Sequence, residues 1–143
     1  MLDIRKKKRW FLLGLLIGIL LIAFYNRPLI SFNEASKLEL ASIERVLISD
    51  TREKSYYLES EEIERLITML DGIEMKKKII PNISAFNTDA YILFFTANAE
   101  ESYTIKFDYE RNIIGIIGNH KNMKQYILEN DSDLFVFVQS YLK

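Results

Sequence analysis

Few residues in this 143-residue sequence are suited to catalysis. Covalent and acid–base mechanisms need a nucleophile or a perturbed acid beside an orienting partner. The single histidine, His120, stands in a predicted turn, and there is no cysteine to pair with it. The glycines do not form a phosphate-binding loop. We therefore predict neither catalytic residues nor a cofactor. A carboxylate-dependent hydrolase acting on envelope polymers stays as an alternative, because many acidic pairs exist.

The acidic run Glu129–Asp133 superficially resembles an oxygen-rich calcium loop, but it lacks the glycine and the distant glutamate of such a loop. Asn130 as a helix N-cap, with Asp131 and Asp133 in the first helical turn, explains the same residues by capping and by the helix dipole. The run therefore predicts the start of a helix, and no metal site is predicted.

One basic cluster, Lys76–Lys78, stands in the second half of the chain. It is suited to contact with anionic lipid or a wall polymer. Lysines on an exposed edge strand that prevent aggregation are the other interpretation, and the pattern favours it.

Three aromatic residues, Tyr57, Tyr109 and Phe135, fall out of phase with the apolar stripes of their predicted elements. Tyrosine and phenylalanine combine a large contact area with few rotatable bonds, and tyrosine also keeps a polar tip. We predict these three residues as a partner-binding surface.

The segment that determines where in the cell these residues lie is at the start of the chain. Five basic residues, Arg5 to Arg9, run directly into the uncharged segment Trp10–Tyr25. A helix over that segment is about 24 Å long, slightly short of a hydrocarbon core of about 30 Å. Trp10 and Tyr25 suit the two interfaces, and Arg27 can extend toward water. We predict a transmembrane anchor in contact with the lipid bilayer.

The basic residues also predict the orientation, since cytoplasmic flanks carry the excess of Lys and Arg. The expected organisation is a basic cytoplasmic stub over residues 1–9, a single-pass cell-membrane anchor over 10–28, a linker or short helix over 29–42 and an extracytoplasmic domain over 43–143. A removed signal peptide is the alternative, but bulky Tyr25 replaces a small residue expected at a cleavage site. Gly14 and Gly18 form a G-x-x-x-G pattern that permits a homodimer.

Charge divides the chain in the same place. Residues 1–28 hold six basic residues and one acidic residue, whereas residues 29–143 hold thirteen basic and nineteen acidic residues. The exported part thus carries a net charge of −6, which disfavours nucleic acid as a partner. The absence of cysteine excludes a disulfide framework and a lipid-modified cysteine. The domain must therefore be stabilised by its hydrophobic core.

Periodicity predicts an α+β domain with an antiparallel sheet and two helices packed on one face. The strands are expected over 43–49, 54–59, 74–80, 90–96, 103–109, 113–118 and 124–129, and the helices over 60–71 and 131–142. Ser60 is the expected N-cap of the first helix, and Gly72 its stop. An offset of 70 residues aligns Ile43 with Ile113 and Tyr56 with Tyr126, which indicates two strand–strand–helix units.

The run from Ile43 through Tyr56-Tyr-Leu-Glu-Ser-Glu-Glu-Ile63, followed by a helix, resembles small membrane-anchored or lipoprotein-type extracytoplasmic domains of unknown function from Gram-positive bacteria. The resemblance implies no catalytic or binding residues. Together with the anchor, it leads us to expect a non-catalytic, membrane-tethered module that contacts a protein partner outside the membrane. An immunity protein that neutralises an incoming toxin through its acidic surface is an alternative.

Overall fold

The computed structural model describes residues 2–52, 54–78, 85–97, 102–118, 122–129 and 132–143. Within them, the elements in chain order are α1 (Leu2–Tyr25), β1 (Ile30–Ser31), α2 (Phe32–Ser36), β2 (Ile43–Asp50), β3 (Ser55–Tyr57), α3 (Ser60–Asp71), β4 (Glu74–Lys77), β5 (Ala90–Thr96), β6 (Ser102–Asp108), β7 (Ile113–Ile117), β8 (Lys124–Leu128) and α4 (Ser132–Leu142). A short 3₁₀ helix, Leu40–Ser42, precedes β2.

The eight described strands form a single sheet in the order β1-β4-β8-β7-β6-β5-β2-β3, and every neighbouring pair is antiparallel. The run from β5 to β8 pairs each strand with the next one in the chain, as expected for short connections. Strand β4 instead crosses the sheet to pair with β8. The predicted α+β class, with an antiparallel sheet after an N-terminal apolar helix, is confirmed.

One face of the sheet carries the core. Ile48, Ile92, Ile105 and Ile116 lie opposite one another on four successive strands and are all buried. Because side chains alternate between the two faces of a strand, this single row places every second residue of β2, β5, β6 and β7 on the same face. The helices bury leucine and valine side chains in the same hydrophobic cluster: Leu66, Leu70, Leu134 and Val138.

The N-cap of helix α3 lies one residue earlier than predicted, and the helix itself begins at Ser60. The N-cap is Glu59, whose amide donates a hydrogen bond to Oε2 of Glu62 at 2.8 Å. The expectation that Ser60 is the cap was wrong, because the Glu62 side chain reaches back to the amide of Glu59 and forms a capping box there, which makes Ser60 the first residue of the helix. Gly72 ends the helix as predicted, and its amide donates to the oxygen of Thr68 at 3.3 Å.

The segment over residues 29–42, predicted as a linker, is instead part of the domain. Ile30 and Ser31 pair with β4 at the edge of the sheet, and the Ser31 hydroxyl accepts a hydrogen bond from the amide of Glu34 to cap α2. Phe32 and Leu38 are buried in the core. Two short elements with so few apolar residues give little periodic signal. The sequence pattern therefore did not predict β1, and it indicated a short helix only as an alternative to a linker.

The two predicted strand–strand–helix units are present as β2-β3-α3 and β7-β8-α4. Their helices contact each other: the Tyr141 hydroxyl donates to Oε1 of Glu62 at 3.0 Å, and the guanidinium of Arg65 lies 5.6 Å from the ring centre of Phe137. The helix pair therefore covers a single face of the sheet, and α2 packs against α3 beside it.

Candidate functional site

Helix α1 stands apart from the domain core. Its segment Lys7–Tyr25 has a mean hydropathy of 1.8 over its most apolar window, and none of that window is buried against the rest of the protein. Trp10 and Tyr25, the predicted interface residues, are 72% and 86% exposed. Apart from the adjacent residues and the nearby backbone of α1 itself, no atom lies within 4 Å of where a side chain would begin on Gly14 or Gly18. The helix is thus long and apolar enough to cross a bilayer.

The junction between α1 and the sheet is held by Arg27. Its guanidinium lies 4.1 Å from the ring centre of Phe24, in the last turn of α1, and its Nη1 donates to the main-chain oxygen of Lys77 at 2.7 Å. Strand β1 pairs with only Glu74 and Met75 of β4, so this carbonyl lies beyond the end of β1. Arg27 therefore satisfies an edge carbonyl that no strand reaches.

Tyr57, the first predicted partner-binding residue, lies on the short strand β3 at the other edge of the sheet. It is 58% exposed. It lies opposite Leu47, which in turn lies opposite Leu93. This row is on the face away from the helices, where Leu47 and Leu93 are half-buried. The guanidinium of Arg45 lies on the same face, 5.1 Å from the ring centre of Phe95.

Phe135 and Tyr109 lie elsewhere, on the helix side of the sheet. Their ring centres are 5.2 Å apart, and both contact Phe107. Phe135 is only 9% exposed and belongs to the core. The expectation that it lies on a contact surface was wrong, because the buried stripe of α4 is wide enough to include residues 134, 135, 137 and 138. The structure thus does not bring the three aromatic residues together.

Tyr109 is half-buried, and its hydroxyl oxygen has no hydrogen-bond partner among the described residues. Burial, and to a smaller extent the nearby carboxylate of Asp89, raises the pKa of Tyr109. The phenol is therefore held neutral. The main-chain amide of Tyr109 donates a hydrogen bond to Oδ2 of Asp89 at 2.8 Å.

A cavity of about 380 Å³ lies at this end of the sheet, and its lining includes Asp50, Asp89 and Tyr109. Oδ1 of Asp50 accepts hydrogen bonds from the amides of Arg52 and Lys54 at 2.8 and 2.9 Å, and Asp89 accepts from Tyr109 and from Asn87. Both carboxylates order turns of the main chain. The arrangement provides hydrogen-bond acceptors rather than a nucleophile with an orienting base.

Asp108, which sequence reasoning missed, is fully buried. Its carboxylate accepts from the amides of Asn87 and Arg111 at 3.1 and 3.2 Å, and forms an ion pair with Nη1 of Arg111 at 3.0 Å. The same guanidinium donates to the main-chain oxygen of Ala85. The available signal was an aspartate at the first position of the turn before β7. Its role is to tie that turn to the loop before β5.

Across the described part of the chain, no group of three His, Asp or Glu side chains is placed to hold a metal ion. Asp133 lies in the first turn of α4 as predicted. His120, the proposed cap Asn130 and Asp131 lie outside the described residues.

No family model matches this sequence, and no curated protein matches it. Among solved structures, the crystal structure of a "putative lipoprotein" from Clostridium perfringens is similar, with a TM-score of 0.52 and 21% sequence identity. The similarity covers 79% of this chain and 97% of that one. At this identity the comparison shows a shared fold. The description of that protein as a lipoprotein agrees with the coarse part of the resemblance noted from the sequence.

Proposed function

We propose that this chain is a membrane-anchored module whose domain lies outside the cytoplasm and binds a protein partner there, without catalysing a reaction. The exposed apolar helix Lys7–Tyr25 carries the proposal. The uncharged segment Trp10–Tyr25 within this helix carries 14 apolar side chains. With no cover from the domain, they are unfavourable in water and favourable in a bilayer. The lipoprotein description of the structural neighbour supports a tethered domain.

The proposed orientation has the N-terminus in the cytoplasm. Residues 5–9 are all basic, whereas Arg27 is the one basic residue close to the other end of α1. Because the chain has no native cysteine, single-cysteine variants report topology directly. A membrane-impermeant maleimide should label Glu61→Cys in intact cells and should label Lys8→Cys only after permeabilisation. The reverse pattern would overturn the orientation.

The face of the sheet that carries Tyr57 supports a protein partner. It combines an exposed tyrosine and Arg45, two residue types that are enriched at the centres of protein interfaces, with the half-buried apolar row Leu47–Leu93. The described carboxylates at the end of the sheet bind main-chain amides, which supports a binding role over a catalytic one.

A photo-crosslinking residue at position 57 of the full chain in membranes tests the partner. We expect a discrete protein adduct from position 57 and none from Val136, an equally exposed position on α4 (62% against 58%). The yield of this adduct should fall in an Arg45→Glu variant, since Arg45 lies on the same face of the sheet as Tyr57. Adducts of equal yield at both positions, or none at position 57, would contradict the proposal.

A further inference from the structure

The junction that Arg27 forms encloses space as well as a hydrogen bond. A cavity of about 400 Å³ is lined by Arg27, Pro28, Ile30 and Lys77. Nη1 of Arg27 is engaged by the carbonyl of Lys77, while its Nε is buried with no partner in the described structure. Arg27 thus lines the cavity with a guanidinium whose hydrogen-bonding capacity the described residues use only in part.

The charges around this cavity are not neutralised. Lys76 forms an ion pair with Glu129, with Nζ 3.1 Å from Oε1. Lys77 points to the opposite face of β4, because adjacent residues of a strand alternate, and its side chain is exposed. Among the described residues, no carboxylate lies within ion-pair distance of either Arg27 or Lys77. Two unpaired cations therefore line one small cavity.

The position of the cavity along the chain indicates its ligand. Arg27 comes two residues after Tyr25, where the apolar helix ends, so an inserted helix places the guanidinium at the level of the lipid headgroups. A guanidinium matches the geometry of phosphate oxygens. The rest of the domain has a net charge of −6 over residues 29–143 and is repelled by an anionic surface, which restricts favourable contact to local cationic sites.

We propose that the junction cavity binds the headgroup phosphate of an anionic lipid in the outer leaflet. Arg27 contacts the phosphate from the anchor side and Lys77 from the sheet side, so that the β1–β4 edge is held toward the membrane. This inference rests on the membrane insertion of α1 proposed above. Lys77, which belongs to the basic cluster Lys76–Lys78, then contacts lipid in addition to protecting the edge of the sheet.

The test uses the full chain reconstituted in vesicles of equal parts phosphatidylglycerol and phosphatidylcholine, with a photo-crosslinking residue at Leu29, which is 46% exposed beside the cavity. We expect adducts with phosphatidylglycerol to exceed those with phosphatidylcholine. Lys77→Gln should lower this ratio about fivefold, the factor expected for one basic residue at an anionic surface. Arg27→Gln should lower it similarly. Arg52→Gln, an exposed position at the far edge of the sheet, should leave it unchanged.

An unchanged ratio in Lys77→Gln, or an equal loss in Arg52→Gln, would overturn the proposal. The Lys77 variant keeps the main-chain oxygen that Arg27 binds, so its result is independent of the structural role of that bond. Added inorganic phosphate should not change the ratio of phosphatidylglycerol to phosphatidylcholine adducts. If phosphate abolished the preference, the cavity would be a site for soluble anions, and the lipid assignment would be overturned. Flotation with the vesicles separates the two proposals: a chain that does not float refutes the anchor, whereas one that floats without lipid preference refutes this inference alone.

Discussion

Nη1 of Arg27 lies 2.7 Å from the main-chain oxygen of Lys77, 50 positions further along the chain. The bond joins the residue that follows the apolar helix to the edge strand β4, and the stacking of the same guanidinium on Phe24 extends the contact into α1. The domain is thereby attached to α1 through the sheet and not through a free linker.

The first prediction concerns this attachment. Arg27→Ala removes the bond to Lys77 and the stacking on Phe24, so the chain between α1 and β1 should become more mobile. The free energy of unfolding should fall by about 1 kcal/mol or less. Mobility is measured by a nitroxide on Leu29→Cys in the reconstituted chain. Arg52→Ala is the matched control, and equal mobility in both variants would show that Arg27 does not order the junction.

The second prediction tests whether residues 29–42 belong to the domain. Phe32 is 1% exposed and packs in the core, so Phe32→Ala should lower the free energy of unfolding by about 3–5 kcal/mol. Leu29→Ala, at a largely exposed position three residues earlier, should change it by no more than about 0.5 kcal/mol. Urea unfolding of the full chain in detergent measures both. If both variants lowered the free energy of unfolding by a similar small amount, residues 29–42 would be a linker and not part of the domain.

The third prediction concerns the close approach at Gly115 in β7. A side-chain carbon there would lie 2.5 Å from the sulfur of Met123 and 3.4 Å from Cζ of Phe86. Gly115→Ala should therefore destabilise the domain by about 1–3 kcal/mol through overpacking.

Met123→Ala in the Gly115→Ala background should recover part of that loss, because it removes the atom that is approached most closely. A double-mutant cycle measures this coupling, which should exceed about 0.5 kcal/mol. Strictly additive effects would show that Met123 does not cover Gly115.

The fourth prediction is a loss of stability at alkaline pH. Burial, followed by the hydrogen bond to Glu62, raises the pKa of Tyr141 to about 12. The unfolded phenol ionises near pH 10, so between these values the unfolded state binds fewer protons than the folded state. The contribution of Tyr141 is therefore complete below about pH 10 and is lost as the pH rises toward about 12.

Urea midpoints of the native chain and of Tyr141→Phe at pH 8 and pH 11 measure this effect. Tyr141→Phe should have a lower urea midpoint than the native chain at pH 8, since it lacks the bond to Glu62. Its midpoint should fall less between pH 8 and pH 11 than that of the native chain. Tyr57→Phe, at an exposed tyrosine, is the control. A pH dependence of Tyr141→Phe equal to that of the native chain would contradict the assignment.

The local patterns predicted most elements correctly. The continuous apolar run Tyr91–Phe95 predicted β5. The spacing of Ile63, Leu66, Ile67 and Leu70 predicted α3, because it repeats often enough to define one face of a helix. Strand β1 was missed, and α2 was expected only as an alternative to a linker, because both are too short to show a period. The out-of-phase aromatic residues were a weaker guide: Tyr57 is exposed as expected, whereas Phe135 is buried, since a wide buried stripe on α4 accepts neighbouring positions.

The sequence by itself determined the apolar helix before an acidic domain, the lack of disulfides and the α+β class, because composition and period are properties of contiguous residues. Only the tertiary structure decided that β4 crosses to β8 and that Arg27 meets Lys77. It also decided that Tyr57 lies on a different face from Tyr109. Such relationships depend on which distant strands pair, and pairing is set by the burial of whole faces and by sheet edges that no local pattern records.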